Sequence, residues 1–402
     1  MEGQRTMDND TPIGKRIAFY RKRLGMSQAT LAGLVDRTPS WVQKIEYGEL
    51  AMDSISMLEQ LAEVLEVSVW DLKPRFGLPP NGGTAQESAV IVGKLRSALF
   101  VPQPDRQVLD LDGLRQASGE VTQLRRAGHY KPAMMLLPDL LTDARASAEQ
   151  GTHAAWTCLA HACKAALSIV REIGEWELAL LIADRFVHAA RSSGDAPMIA
   201  TAARHLGFAL LDGAHADLAG AVCSNAADAI APTDRTSPEG WAAWGSLRLS
   251  GAFAANRLKD PTTARRLILE ARAAVERLPS TFTDADEGFS VSNVGLHEIS
   301  IALEAYNPVE ALRIADRVDV AELPWDTRRA SYCISVAHAQ SLRGSDGAAA
   351  IVGWLLEAYD YAPDRVRTGV LPRELVRACL RREKRSRTPK LRELAEKIGV
   401  AA

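Results

Sequence analysis

A short pattern recurs six times along the chain: a glycine or other turn residue, an aromatic or turn residue just after it, and a closing alanine. The copies are GHYKPA, GEWELA, AHADLA, KDPTTA, YNPVEA and GSDGAA, ending at Ala133, Ala179, Ala219, Ala264, Ala311 and Ala349. Successive alanines are 46, 40, 45, 47 and 38 residues apart. On either side of each copy, apolar residues fall at i, i+3, i+4 and i+7, the spacing of one helix face. Each copy therefore joins two helices into a hairpin, with the small alanine where the second helix crosses close to a neighbour. A lone hairpin cannot bury its apolar face, so hairpins of this kind must stack into an array. Helices near 372–384 and 388–399 would cap it.

The same periodicity runs through most of the sequence, alanine and leucine abound, and alternating β-branched runs are rare. The expected class is all-α. At 402 residues there is room for two or three domains or one extended array. A formal charge of −2 excludes a generally basic nucleic-acid coat, so contact with a polyanion must come from a local patch. Five scattered cysteines with no CxxC spacing argue for reduced thiols in a cytoplasmic protein. No apolar signal core opens the chain and no window is long and apolar enough for a membrane span, so we expect a cytoplasmic protein with no membrane partner.

The chain divides into a polar tail (1–10), a compact block of short helices (11–73), a proline- and glycine-rich linker (74–88, within KPRFGLPPNGGTAQES) and the long amphipathic helices of 89–402. In the block, helices are expected near 12–23, 27–35, 39–47, 54–66 and 69–73. Ser27 can cap the second and Thr38 the third, where Pro39 takes the first helical position at no cost. Val42 and Ile45 then face inward, leaving Ser40, Gln43 and Lys44 outward. From Pro12 to Gly48 seven cationic residues stand against two carboxylates, a net +5. The fourth helix is acidic (Glu59, Glu63, Glu66), so one face of the module is positive, as phosphate binding requires.

The stretch from Ile13 to Leu72, with GMSQATLA, the IExG ending at Gly48 and the closing LEQLAEVLEVSVWDL, resembles the Cro/repressor-type helix-turn-helix of the XRE family. That resemblance implies a double-stranded DNA operator as partner. It puts Gln28 on a backbone phosphate, Thr38, Ser40, Gln43 and Lys44 on the recognition helix, and Arg16 and Arg23 among the DNA-contacting cations. It makes Arg21 and Glu46 an internal pair serving stability. Trp41 is expected to pack or to lean on a sugar or thymine methyl. Two departures stand out: Asp36 where many members have glycine at a helix end, and Pro39 where several repressors place a base-contacting residue. Members of this family bind two half-sites as dimers, which implies a homodimer here.

The repeat region resembles the tetratricopeptide family, with longer spacing than its usual ~34 residues. By that pattern the first helix of each pair lines a concave groove, placing His161, Lys164, Arg171, Arg204, Arg248, Asn256, Asn293 and His297 there. Such amide and cationic donors suit a peptide backbone or a carboxylate. The two-part layout resembles peptide-pheromone regulators of Gram-positive bacteria and, more closely, actinobacterial regulators of this arrangement. It implies a peptide or small-molecule effector.

Other candidate sites are weaker. His153, Cys158, His161 and Cys163 share one helix, but only Cys158 and His161 share a face and no second cluster completes four ligands, so packed cysteines are expected and no metal. The basic run RREKRSRTPK (381–390) could touch DNA or simply be solvated. No phosphate loop, dinucleotide fingerprint, HExxH or nucleophile elbow is present, so neither catalysis nor a cofactor is expected. The expected function is transcriptional regulation; a protein-interaction scaffold or antitoxin-like partner that seldom meets DNA is the alternative.

Overall fold

The computed structural model describes residues 11–52, 54–73, 85–101, 108–233, 235–284, 286–344, 348–382 and 389–400. The expected tail (1–10), most of the expected linker (74–84) and the middle of the basic run (383–388) lie outside the described residues. Among those described, every regular element is a helix.

Five short helices form the N-terminal block: α1 (Ile13–Arg23), α2 (Gln28–Leu34), α3 (Pro39–Glu46), α4 (Ile55–Val64) and α5 (Val69–Leu72). They enclose their own core, with Ile13, Ile17, Leu31, Val42, Ile45, Leu58, Leu61 and Leu72 fully buried. Helix α6 (Ala85–Phe100) begins within the segment expected to be linker and packs on the first hairpin of the array.

Six hairpins follow: α7 (Leu111–Arg126) with α8 (Tyr130–Ala148), α9 (His153–Glu172) with α10 (Trp176–Ser193), α11 (Ala196–Asp212) with α12 (Ala216–Ala229), α13 (Pro238–Arg257) with α14 (Pro261–Glu276), α15 (Val291–Glu304) with α16 (Pro308–Ala315), and α17 (Asp326–Arg343) with α18 (Ala348–Tyr361). Short α19 (Pro363–Thr368), α20 (Val370–Arg382) and α21 (Pro389–Lys397) close the array.

The recurring turn has one physical basis. Its first residue is left-handed in all six copies: Gly128 (φ 73°), Gly174 (76°), Ala214 (63°), Lys259 (59°), Tyr306 (56°) and Gly344 (67°). In the first five copies the N–H of the next residue reaches back to the carbonyl five positions earlier, as from His129 to Leu124 and from Asn307 to Ala302. This is the Schellman closure of a helix end. A side chain at a left-handed position costs about 1–2 kcal/mol, so Ala214, Lys259 and Tyr306 keep the turn at some expense. The closing alanines Ala133, Ala179, Ala219, Ala264 and Ala311 are buried as expected. Ala349 is not. On α18 Ala349 is exposed and Ile351 is buried instead.

First helices stack on first helices through the array, and the stack curves until its end meets its beginning, α17 on α7 and α19 on α8. The closure is polar and specific. Tyr130 N–H donates to Asp364 Oδ2 at 2.9 Å, Arg365 pairs with Glu172, and Gly128 lies so close to Ala362 that an added Cβ would sit 2.6 Å from it. The tetratricopeptide-like array is thus a closed ring.

Candidate nucleic-acid interface and central cavity

The two helices of the candidate interface are fixed by their ends. Ser27 Oγ accepts the Thr30 N–H at 3.0 Å and Thr38 Oγ1 accepts that of Trp41 at 3.2 Å, each satisfying an orphan donor at a helix start. Between them Asp36 takes the left-handed turn (φ 52°) that glycine would occupy more cheaply. With Val42 and Ile45 buried beneath, Thr38, Ser40, Gln43 and Lys44 are exposed together on α3. Lys15, Lys22 and Arg23 are exposed on α1, the Arg23 guanidinium lying 4.8 Å over the Tyr20 ring.

Three other residues expected at DNA stand differently. Arg16 is buried: its Nε donates to the Thr11 carbonyl at 3.0 Å and its Nη1 to that of Asp71 at 3.2 Å, joining α1 to α5. In this arrangement it is a structural residue and cannot reach a phosphate. Gln28 is half-buried and donates to Glu46 Oε2 at 2.7 Å. Trp41 turns its ring edge to Tyr306 with centroids 6.3 Å apart, a contact to the repeat region that sequence reasoning did not anticipate.

Beneath these residues lies the expected internal pair. Arg21 Nε donates to Glu46 Oε1 at 2.5 Å and Nη2 to Oε2 at 2.8 Å, both side chains buried. Burial alone would raise the Glu46 carboxyl, but the hydrogen bonds from Arg21 and Gln28 hold it below its ordinary value.

The block is seated on the ring at several places. Trp70 of α5 stacks on Trp176, centroids 4.7 Å apart and planes within 13°. On the α15–α16 turn, the Tyr306 ring receives the Arg37 guanidinium at 4.8 Å and its hydroxyl reaches Met52 Sδ at 3.2 Å. Ser56 N–H donates to Glu304 Oε1 at 3.3 Å. Arg382 donates to the Glu49 carbonyl at 2.5 Å, and the Arg381 guanidinium fills the space where a Cβ on Gly48 (φ 68°) would stand. Those two members of the basic run therefore bind the α3–α4 loop.

Inside the ring is a cavity of about 250 Å³ lined by α7, α9, α11, α13, α15, α17, α19 and the loop before α15. Of the eight residues expected in a concave groove, Lys164, Arg171, Arg204 and His297 line it. His161 is half-buried one turn away, and Asn293 is buried with its carbonyl accepting from His297 Nδ1 at 2.8 Å. Arg248 instead pairs with Asp228 (3.0 Å) and Glu270 (3.1 Å), and half-buried Asn256 does not line the cavity either. On α13 it is Phe253 that faces inward, so these two expectations fail through the helix register.

Sequence reasoning missed Arg125, Arg126, Arg328 and Arg365, contributed by the first and last turns of the ring, and Glu287, which arrives from a loop. The loop is organised by Asp284, whose carboxylate accepts the N–H groups of Asp286, Glu287 and Phe289 at 3.0–3.1 Å. It delivers the Glu287 carboxylate to Arg204, to Lys164 Nζ at 2.7 Å and to His205 Nε2 at 3.2 Å. Burial opposes ionisation of Glu287, yet Lys164, His205 and Arg204 hold it well below the usual carboxylate range. Burial drives His205 down to about 4 and, with Arg328 and Arg204 adding repulsion, His297 down to about 3. Both imidazoles are neutral at pH 7.

The helix containing His153, Cys158, His161 and Cys163 spends these groups on packing: Cys158 and Cys163 are buried, and His153 Nδ1 lies 3.1 Å from the Ser193 carbonyl. Among the described residues no helix is long and apolar enough to cross a membrane.

Fold and site together define an all-α protein that carries a helix-turn-helix domain on a closed helical-repeat ring. Residues 13–72 match the family described as a helix-turn-helix domain. Among solved structures the chain is similar to PlcR of Bacillus thuringiensis in complex with the peptide PapR7 and DNA, at 10% identity and a TM-score of 0.38, over 83% of this chain and 99% of that one. A search of curated proteins finds no match.

Proposed function

We propose that the chain is a sequence-specific DNA-binding transcriptional regulator of the cytoplasm, acting as a homodimer, with an effector bound by its repeat ring. The observation that carries this reading is the exposed group Thr38, Ser40, Gln43 and Lys44 on a helix-turn-helix whose underside is rigidly packed. Side chains so placed can reach base edges while Lys15, Lys22 and Arg23 reach phosphates. One small module makes few phosphate contacts, which favours two copies on half-sites about one helical turn, ~34–36 Å, apart.

The seat of the domain supplies a route for control. Helix α15 presents His297 and Ser300 to the cavity, and at its far end Glu304 and Tyr306 hold Ser56, Arg37 and Met52. An effector that favours one setting of α15 would shift the domain's position, and differential affinity for two settings is all that control requires.

A gel-shift titration with DNA from upstream of the chain's own gene tests the reading. Binding should be specific and steeply salt-dependent, and Gln43→Ala with Lys44→Ala should weaken it at least tenfold, given about 1–3 kcal/mol for a base-reading contact. Equal weak binding to any sequence would instead support the scaffold or antitoxin-like alternative.

A further inference from the structure

The cavity holds more positive charge than its carboxylates neutralise. Seven cationic side chains line it against three carboxylates, Glu172, Asp286 and Glu287. A fourth, Asp212, sits just outside on Arg171 at 2.5 Å. Most of the cations are spoken for: Lys164 and Arg204 hold Glu287, Arg365 holds Glu172, and Arg126 donates to the Asp286 carbonyl at 3.1 Å.

Arg125 and Arg328 are different. Each lies 5.8 Å from the Trp325 ring centroid, and among the described residues neither has a carboxylate within ion-pair distance. Enclosure and the neighbouring charges of Arg204 and Arg125 depress Arg328 to about 9, which the more distant Glu287 carboxylate offsets only in part. An enclosed cation without a direct ion-pair partner is costly, and a guanidinium is shaped to take a carboxylate or phosphate through paired hydrogen bonds.

We propose that this cavity binds a compact, multiply charged anion bearing phosphate or carboxylate groups, with Arg328 and Arg125 as its chief ligands. Glu287 fills one part of the cationic basin as a built-in anion; the incoming ligand fills the other. Size and topology select a small molecule. A volume of about 250 Å³ falls below the ~300–1,000 Å³ of sites for drug-sized ligands. Contact of α7 with α17 and of α8 with α19 joins the two ends of the array around the cavity, which favours a compact ligand over one laid along an open groove. The proposal sharpens the effector reading above and depends on it only for any consequence at DNA.

The test uses the full chain without DNA. Thermal unfolding and titration calorimetry are run with sodium pyrophosphate, citrate and inorganic phosphate, each against sodium chloride at equal ionic strength. At least one multivalent anion should raise the Tm by several degrees with saturable heat; pyrophosphate outranking citrate marks a phosphate ligand, and the reverse a carboxylate ligand. Arg328→Gln should melt no lower than the parent chain, because an unpaired cation has gone, and should lose the anion-induced rise. Arg125→Gln, checked for helicity by circular dichroism, provides the same readout if Arg328→Gln folds poorly. No anion surpassing chloride, or a full rise retained in both variants, overturns the proposal. The Gln43→Ala, Lys44→Ala chain should keep the rise, so a failure of DNA binding and a failure of anion binding are separately visible.

Discussion

The helix-turn-helix domain and the ring use the same kind of charge in opposite ways. The domain buries Arg21 against a single carboxylate and turns Lys15, Lys22, Arg23 and Lys44 to solvent. The ring turns Arg125, Arg204, Arg328 and Arg365 into its own interior. Exposed cations interact with a long polyanion whose counterions they release. Enclosed cations act over short range in a less polar medium, where each must find a partner or lower its pKa. Position, more than composition, is what separates the cations of the two regions.

The contrast can be tested most severely at the buried pair. Arg21→Ala leaves Glu46 buried without its partner, a change of about 3–5 kcal/mol where one member of a buried ion pair is removed. The domain's α1–α3 packing should be lost while the ring stays folded. Hydrogen exchange should show deprotection confined to residues 13–72; uniform deprotection would mean that the two regions fold as one unit.

Acid should act on the other region. His205, His297 and His338 have folded-state pKa values of about 4, 3 and 4, driven down chiefly by burial from an ordinary 6.5. A depressed folded pKa contributes stability above the unfolded value that is lost as pH falls through the folded one. Lowering the pH from 7 toward 4 should therefore reduce the Tm of the ring progressively, starting near 6.5. His297→Gln should flatten that slope; an unchanged slope in this variant would contradict the burial of a neutral His297.

The smallest effect sharpens the seam between the regions. Tyr306→Gly relieves a left-handed residue, worth about 1–2 kcal/mol, but removes the ring that Arg37 and Trp41 contact. Overall stability should change little. Limited proteolysis should nevertheless cut between the domain and the ring faster, and unchanged cleavage would show that the remaining contacts, the Trp70–Trp176 stack, Ser56 with Glu304 and Arg382 with Glu49, suffice as the tether.

Local rules made much of this legible from sequence. Caps at Ser27 and Thr38, the turn at Asp36 and the Arg21–Glu46 pair follow from neighbours in the chain or from family resemblance, and the five short helices begin and end within two residues of expectation. The hairpins were legible because one left-handed turn recurs. Ring closure was not, since the meeting of α7 with α17 depends on small rotations accumulated over six hairpins. The inward cations of the first and last hairpins were missed for that reason, and Glu287 because a loop has no periodicity to read. On α13 a slip in register sent Arg248 and Asn256 away from the cavity, and although Trp41 packs as expected, its partner Tyr306 could not be read because it lies far along the chain.

The central claim is that the outer face of α3 reads DNA. Footprinting of the full chain on the DNA upstream of its gene, at two salt concentrations, tests this most directly. The account predicts two protected half-sites centred about 10–10.5 base pairs or a multiple apart, weakened sharply by salt and abolished by Gln43→Ala with Lys44→Ala. Absence of discrete protection at any protein concentration, or a footprint indifferent to that double substitution, would contradict it.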